Sequence, residues 1–431
     1  MCDHSILHMP LDVLINILTL LKTSDLRNLM LTCKTMKNLI INEGTLWRLI
    51  SRKRLVLMNS KSELNTSWYK RCKISHNWCK GIYTNKVVIQ HRTSYMPWLQ
   101  FCDSERLYLS VGSDLKCYVI DKKGVAHAKT IWSLAVPIIK RMDIRTNDIS
   151  RFIVKGNLIV CGNRDGCTAI YQFDDNRKLP NLLYFIKDCH KGGEVEVSAV
   201  EKIDNNVVTV SNSSPNVKFW QWTCDKNDLT VKSYKMDDSQ VYCKQEIQLQ
   251  NEIGCRCVTA NKGEDKLAIG LNGNSKPLLL DVNTNNLLIW SASTRNVKEV
   301  VRDIQWHDEN CIAFVTHSGN LQIIDMRTSN VVFKTTDPFQ SSLYCLKTDS
   351  NHAMLVGSSE YSRCVLFDTR TTRHVQMFFT QKKSSPVYSL DFDSSKLLAA
   401  ADRGVAALNF NVCASIIQAR DYSHTFEYVI R

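Results

Sequence analysis

Seventeen cysteines and eleven histidines are the side chains of this chain most able to hold a metal or act as a nucleophile. Zinc needs paired ligands at short spacing. Cys72, His76 and Cys79 share a neighbourhood without a matching second pair, and Cys255 and Cys257 stand one residue apart. An odd number of cysteines in a long chain argues against a disulfide framework. Reduced, buried cysteine acting as a small hydrophobe is the expectation. No Gly-x-Ser-x-Gly elbow, Walker-type phosphate loop or His-Glu-x-x-His occurs, and the histidines are scattered. The expectation is therefore a chain with no cofactor, no metal and no catalytic residue, acting through binding.

What it binds is first bounded by charge. Of a net +13 over 431 residues, residues 48–80 alone carry +8, and the remainder lacks the basic face of a nucleic-acid binder. The bland reading of that segment is a solvated face. A scaffold or nucleic-acid binder using it would show steeply salt-dependent affinity. Hydrophobic residues at 44% and charged residues at 23% fit a globular protein of one large or two to three ordinary domains. The apolar run 11–21 is broken by Asp12, Asn16 and Thr19, so no membrane partner is expected. Met1-Cys2-Asp3-His4 does not start a secretory leader, which leads to an expectation of cytoplasmic residence. Arg52-Lys53-Arg54 is too short a cluster to decide for or against the nucleus.

The elements that must position any binding surface fall into two regimes. From Pro10 to Arg54 the periodicity is helical. Pro10 opens a helix with the apolar stripe Leu11, Val13, Leu14, Ile17, Leu18 and Leu21; Thr23 or Ser24 caps a second carrying Leu26, Leu29, Met30 and Cys33. A short third piece follows, and Gly44-Thr45 restarts a fourth with Leu46, Trp47, Leu49 and Ile50. About 45 residues cannot bury all these apolar faces alone, so a partner is implied. Residues 55–80 read as a basic linker helix with Leu64, Trp68 and Cys72 on one face.

Past residue 81 the pattern becomes strand-like and repeats. Seven units, 99–121, 149–173, 197–222, 255–281, 301–325, 343–368 and 387–409, each read as three apolar strands joined by polar turns, approaching the roughly 40–45 residue period of a propeller blade. Residues 82–90 are placed to supply an outer strand to the last blade. The Trp-Asp position is degenerate, occupied by Phe219-Trp220, Ile324-Asp325 and Phe367-Asp368, and His190 is a candidate for the repeat histidine.

These residues carry a family resemblance. Met9-Pro10-Leu11-Asp12-Val13-Leu14 through Leu18, then Leu26, Leu29, Thr32-Cys33-Lys34 and Leu46-Trp47-Arg48, resemble an F-box, with Asp12 where many members have Glu. With Ser75-His76-Asn77-Trp78, Tyr95-Met96-Pro97-Trp98, 342–349, 356–361 and 384–390, residues 7 to 410 resemble the dactylin family of F-box/WD-repeat proteins. The resemblance implies a non-catalytic substrate receptor of a Skp-cullin-F-box ubiquitin ligase. Its expected fold is α + β and multidomain: an all-α F-box (7–54), a basic helical linker (55–80), an all-β WD-repeat propeller of seven blades (81–410) and a tail (411–431). It also implies that Pro10, Leu11, Val13, Leu14, Ile17, Leu18, Leu26, Leu29, Cys33 and Trp47 bind the Skp-type adaptor, and through it a cullin-RING ligase.

Lining up the innermost strands gives one entrance position per blade: Leu99, Ser150, Ser198, Arg256, Arg302, Tyr344 and Tyr388. Arg256 and Arg302 suit a carboxylate or phosphate, since the guanidinium fork gives paired, charge-assisted bonds. Tyr344 and Tyr388 suit stacking on the same peptide. The competing expectation is that the two arginines pair with nearby acids such as Asp303. A second reading of the propeller, a receptor for a cullin-4 type ligase, rests on Asp325-Met326-Arg327 and Asp368-Thr369-Arg370.

Overall fold

The computed structural model describes residues 6, 9–58, 66–103, 105–121, 130–139, 148–173, 178–222, 241–249, 253–288 and 299–424. Leu64, assigned above to the linker helix, and its charged neighbours Lys61 and Glu63 lie outside the described residues.

The head consists of α1 (Leu11–Leu20), α2 (Thr23–Thr32), α3 (Lys34–Asn42) and α4 (Gly44–Ser51), followed by α5 (Trp68–Cys79). Helices this short are marginal in isolation, so caps and packing must hold them. The cap of α2 falls one residue earlier than Thr23: the Asp25 carboxylate reaches back to accept the Lys22 backbone N–H at 3.3 Å, leaving Thr23 already helical. Cys33 caps α3, its Sγ accepting the Met36 N–H at 3.4 Å. Inside, Leu14, Ile15, Leu18, Leu26, Met36, Ile40, Leu46, Trp47 and Ile50 form one core. Trp47 fastens it, donating to the Ile40 carbonyl at 2.6 Å and meeting Tyr69 of α5 edge-on at 5.1 Å.

Seven four-stranded antiparallel sheets follow. The seven units read from the sequence are the three inner strands of the seven blades. Central strands such as Leu158–Asn163, Ala353–Ser358 and Lys396–Ala401 are buried along their whole length. Both faces of each pack on other elements, which is why they read as continuous apolar runs rather than alternating ones. Blade seven is completed from the other end of the chain: Thr84–Gln90 pairs antiparallel with Gly404–Asn409, from Thr84 opposite Asn409 to Gln90 opposite Gly404.

Two buried polar clusters stand where the repeat signature is degenerate. In blade three, Thr209 Oγ1 receives Trp220 Nε1–H at 2.9 Å and lies 3.0 Å from His190 Nε2. His190 is fully buried, and that burial pulls its imidazole down to about 4. In blade six a fully buried Arg363 takes over, donating to Asp337 at 2.7 Å and to Ser358 Oγ at 2.9 Å, with Phe339 stacked on its guanidinium at 3.8 Å.

The head is bolted to the propeller through α5. Trp78 is fully buried, stacked on Phe410 at 3.6 Å and edge-on to Phe378 and Phe392, and its Nε1–H donates to the Ser394 carbonyl at 2.8 Å. Asn77 donates to the Phe410 carbonyl at 2.7 Å. The tail straps the joint: Arg420 N–H donates to the Gly81 carbonyl at 2.9 Å, Tyr422 N–H to Gln376 at 2.8 Å, and Lys80 meets Asp421 at 3.2 Å. Gly81 has φ +59°, and any side chain there would run into the Arg420 carbonyl.

Two measurements check this description. Trp78→Ala removes the aromatic bolt and should cost about 3–5 kcal/mol in a denaturant melt; a loss under about 1 kcal/mol would refute the docking. For His190, the folded imidazole binds its proton less readily than the unfolded one, so its contribution is complete above pH 6.5 and declines as pH falls toward 4. The window is worth about 3 kcal/mol, and His190→Gln should flatten that part of the stability–pH curve.

Candidate protein-interaction site

The innermost strands all run in one direction, starting at one rim of the channel and ending at the other. In five of them the pairing slips just inside the start, between Ile149 and Arg151, Cys255 and Cys257, Val301 and Asp303, Leu343 and Cys345, and Val387 and Ser389. A bulge re-aims the extra residue out of the ladder. Those extra residues are Ser150, Arg256, Arg302, Tyr344 and Tyr388.

Each predicted entrance residue now has a place. Ser198 holds the equivalent position in blade three, where its hydroxyl donates to the Cys255 carbonyl at 2.6 Å; Ser150 does the same toward the Val197 carbonyl of the next blade. Both serines staple blades together. Leu99 is a correction: it is buried, paired with Leu109, and Trp98 occupies the rim. The reason is Pro97, which is buried in the place held elsewhere by Ile149, Val197, Cys255, Val301, Leu343 or Val387, so the rim residue comes one position sooner.

The rim therefore carries an aromatic arc and a cationic arc. Tyr344 and Tyr388 meet edge-on at 5.8 Å, and the Arg302 guanidinium lies 4.9 Å over the Tyr344 ring. Burial raises the Tyr388 phenol, and its hydrogen bond with Asp402 adds to that. Arg302 donates to His317 Nδ1 at 3.1 Å, while its Nε–H is buried without a partner among the described residues. Burial, then the neighbouring Arg302, lowers the His317 imidazole, keeping it a neutral acceptor. Arg256 faces Glu196 at 3.5 Å; burial draws its guanidinium down to about 10, which leaves it a cation at neutral pH. The competing expectation holds for Arg256, whose acid is Glu196, while Asp303 is taken by neither arginine. It pairs with Arg151 at 2.9 Å across the channel and accepts the Leu346 N–H at 2.9 Å.

Arg151 is a feature the sequence reading passed over. From blade two it reaches Asp303 and the Arg302 carbonyl in blade five, both at 2.9 Å, and stacks 4.2 Å from the Trp98 ring of blade one. This strut lines the channel beneath the rim, where about 160 Å³ remains open, and fixes the backbone that presents Arg302.

On the opposite face sits the head. Met58 N–H donates to Asp349 at 3.2 Å and Trp78 to Ser394, both in turns that follow an inner strand. Rim and head thus occupy opposite ends of the propeller. The D-x-R turns lie on the head's face too. Arg327 pairs with its own Asp325 at 2.8 Å and Arg370 with its own Asp368 at 2.6 Å, the latter also donating to the Arg52 carbonyl at 3.4 Å.

Among the ten head residues assigned to adaptor binding, Pro10, Leu11, Val13 and Cys33 are exposed and Ile17 and Leu29 half-buried. Leu14, Leu18, Leu26 and Trp47 are core, held against one another and out of a partner's reach. Leu20 and Leu31, 85% and 79% exposed, and Met9 are further uncovered apolar side chains of the head that the sequence did not single out. Both leucines fall outside the inward stripe, and an apolar residue off the stripe was the available signal.

A family model described as F-box-like matches residues 6–53. The head is an F-box-like domain. Beyond it, the chain is 24% identical over 414 residues to F-box/WD repeat-containing protein 4 of Mus musculus, covering 93% of this chain and 92% of that one. The Homo sapiens protein of the same name is 24% identical over 412 residues with the same coverage. The crystal structure of the WD40 β-propeller domain of Doa1 superposes with a TM-score of 0.53 at 13% identity, covering 75% of this chain and 96% of that one, a likeness of fold. The F-box-like domain thus precedes a WD-type propeller, as the resemblance implied.

The strut yields a test. Arg151→Met strands the Asp303 carboxylate in the channel and should destabilise by about 3–5 kcal/mol, whereas Arg151→Met with Asp303→Asn should recover most of the loss. Equal losses in the single and double variants, by chemical denaturation, would contradict the strut.

Proposed function

We propose that this chain is the substrate-recognition subunit of a Skp-cullin-F-box ubiquitin ligase. The F-box-like domain docks a Skp-type adaptor through its uncovered apolar residues, Met9, Leu11, Val13, Leu20 and Leu31. The propeller rim, with Arg256, Arg302, Tyr344 and Tyr388, takes an acidic or phosphorylated segment of the protein to be ubiquitinated. The observation that carries the reading is the division of labour. A head with large apolar side chains in water is fixed rigidly to the end of a propeller whose other end presents aromatic and cationic groups. Charge-assisted bonds of about 1.5–3 kcal/mol each let two rim arginines supply a large part of the about 8 kcal/mol that a micromolar ligand needs.

In this reading the chain works by proximity. It holds a target lysine at high effective concentration near a recruited conjugating enzyme and supplies no catalytic residue. The cullin-4 receptor reading has less support, because both D-x-R arginines are engaged by their own aspartates within a turn.

Co-elution with a Skp-type adaptor in size-exclusion chromatography tests the proposal. Leu20→Glu with Leu31→Glu, both at exposed positions, should leave the melting temperature unchanged and abolish co-elution. A wild-type chain that elutes alone, or a variant that still co-elutes, would overturn it.

A further inference from the structure

Between the outermost strands of blades six and seven, His374–Phe379 and Thr84–Gln90, the sheets splay into a groove of about 850 Å³, in the size range of ligand sites. We infer that this groove is a second interaction surface, which takes an extended, acidic polypeptide segment running outward from the rim. The surface stands on its own geometry and does not depend on the adaptor reading.

Four cations line it, Lys382, Lys383, Arg403 and Arg420, against one acid, Asp402. Asp402 also bonds the Tyr388 phenol, and with four cations against one carboxylate the groove is net positive. The two lysines sit on a connection that is held in place: Ser362 Oγ–H donates to the Lys383 carbonyl at 2.8 Å, Tyr361 N–H to Ser384 Oγ at 3.2 Å and Ser362 N–H to the Ser385 carbonyl at 2.8 Å. Their side chains remain exposed while their backbone is fixed, which reduces the ordering cost of binding.

The groove also asks for donors. Asn85 spans the two blades, its Nδ2 giving a hydrogen bond to the Thr380 carbonyl at 2.9 Å, while its Oδ1 is buried with no partner among the described residues. A peptide offers both what the cations need, carboxylates, and what Asn85 needs, a backbone N–H. A phosphodiester backbone offers anionic oxygens but no N–H donor. Continuity with the rim is direct, because Asp402, on the groove wall, holds Tyr388 of the aromatic arc and donates its backbone N–H to Ser385 Oγ at 2.9 Å.

The test uses the full chain and a fluorescein-labelled octapeptide of alternating glutamate and valine, followed by anisotropy at low and at physiological salt. The wild type should bind it at least about tenfold more tightly than the glutamine counterpart. Lys382→Glu with Lys383→Glu and Arg403→Glu, all exposed positions, should weaken binding by about tenfold or more with an unchanged melting curve. Arg256→Ala with Arg302→Ala should leave the groove's affinity within about twofold. Undiminished binding by the charge-reversed variant would overturn the proposal. So would loss confined to the rim variant, which would move the site to the rim, or equal competition by an oligodeoxythymidine octamer, which would reduce the groove to a general polyanion surface.

Discussion

Everything in this molecule depends on the closure of a ring of sheets by a strand from the wrong end of the chain. A propeller blade without its outer strand leaves a row of unpaired N–H and C=O groups, and circular closure is how such a sheet avoids an exposed inner edge. Here the closing strand Thr84–Gln90 comes five residues after α5 ends. The same constraint that finishes the propeller therefore pins the helical head against blades six and seven. Trp78, sealed among Phe378, Phe392 and Phe410, converts a covalent neighbour into a rigid one, and the tail, bonded to Gly81 and Gln376, covers the joint.

Rigidity gives the two ends of the molecule a fixed relation. The inner strands start at the rim and end against the head, so Arg302 and Tyr344 are separated from Leu20 and Leu31 by the thickness of the propeller. The rim is itself over-determined. Bulges push Arg256, Arg302, Tyr344 and Tyr388 out of the ladder, Ser150, Ser198 and Ser389 tie blades two, three and seven to the blade that follows each, and the Arg151–Asp303 strut crosses from blade two to blade five. Asp303 serves the site by holding Arg151, which leaves Arg302 with a neutral imidazole and an aromatic face for neighbours.

Architecture was legible in the sequence because it is written in periodicity: 3.6 in the head, continuous apolar runs beyond, and a repeating unit of three strands. His190 was legible as a residue type with a known role. Finer placement was lost where one side chain alters the local count. Pro97 in place of the apolar residue found there in the other blades hid the register of blade one, so Leu99 was read at the rim where Trp98 stands. In the head, a helical stripe shows which residues are apolar together but not which side of the helix faces the core, so Leu14, Leu18, Leu26 and Trp47 were read as contacts when they are interior. Arg151 and Asp303 lie far apart in sequence, and nothing local announces that two blades reach across a channel to each other.

Hydrogen–deuterium exchange of the full chain with and without a Skp-type adaptor measures the central claim most directly. The account predicts protection confined to Leu11–Leu20 and Thr23–Thr32, with the strands bearing Arg256, Arg302, Tyr344 and Tyr388 unchanged. Protection on the propeller rim, or none in the head, would contradict it.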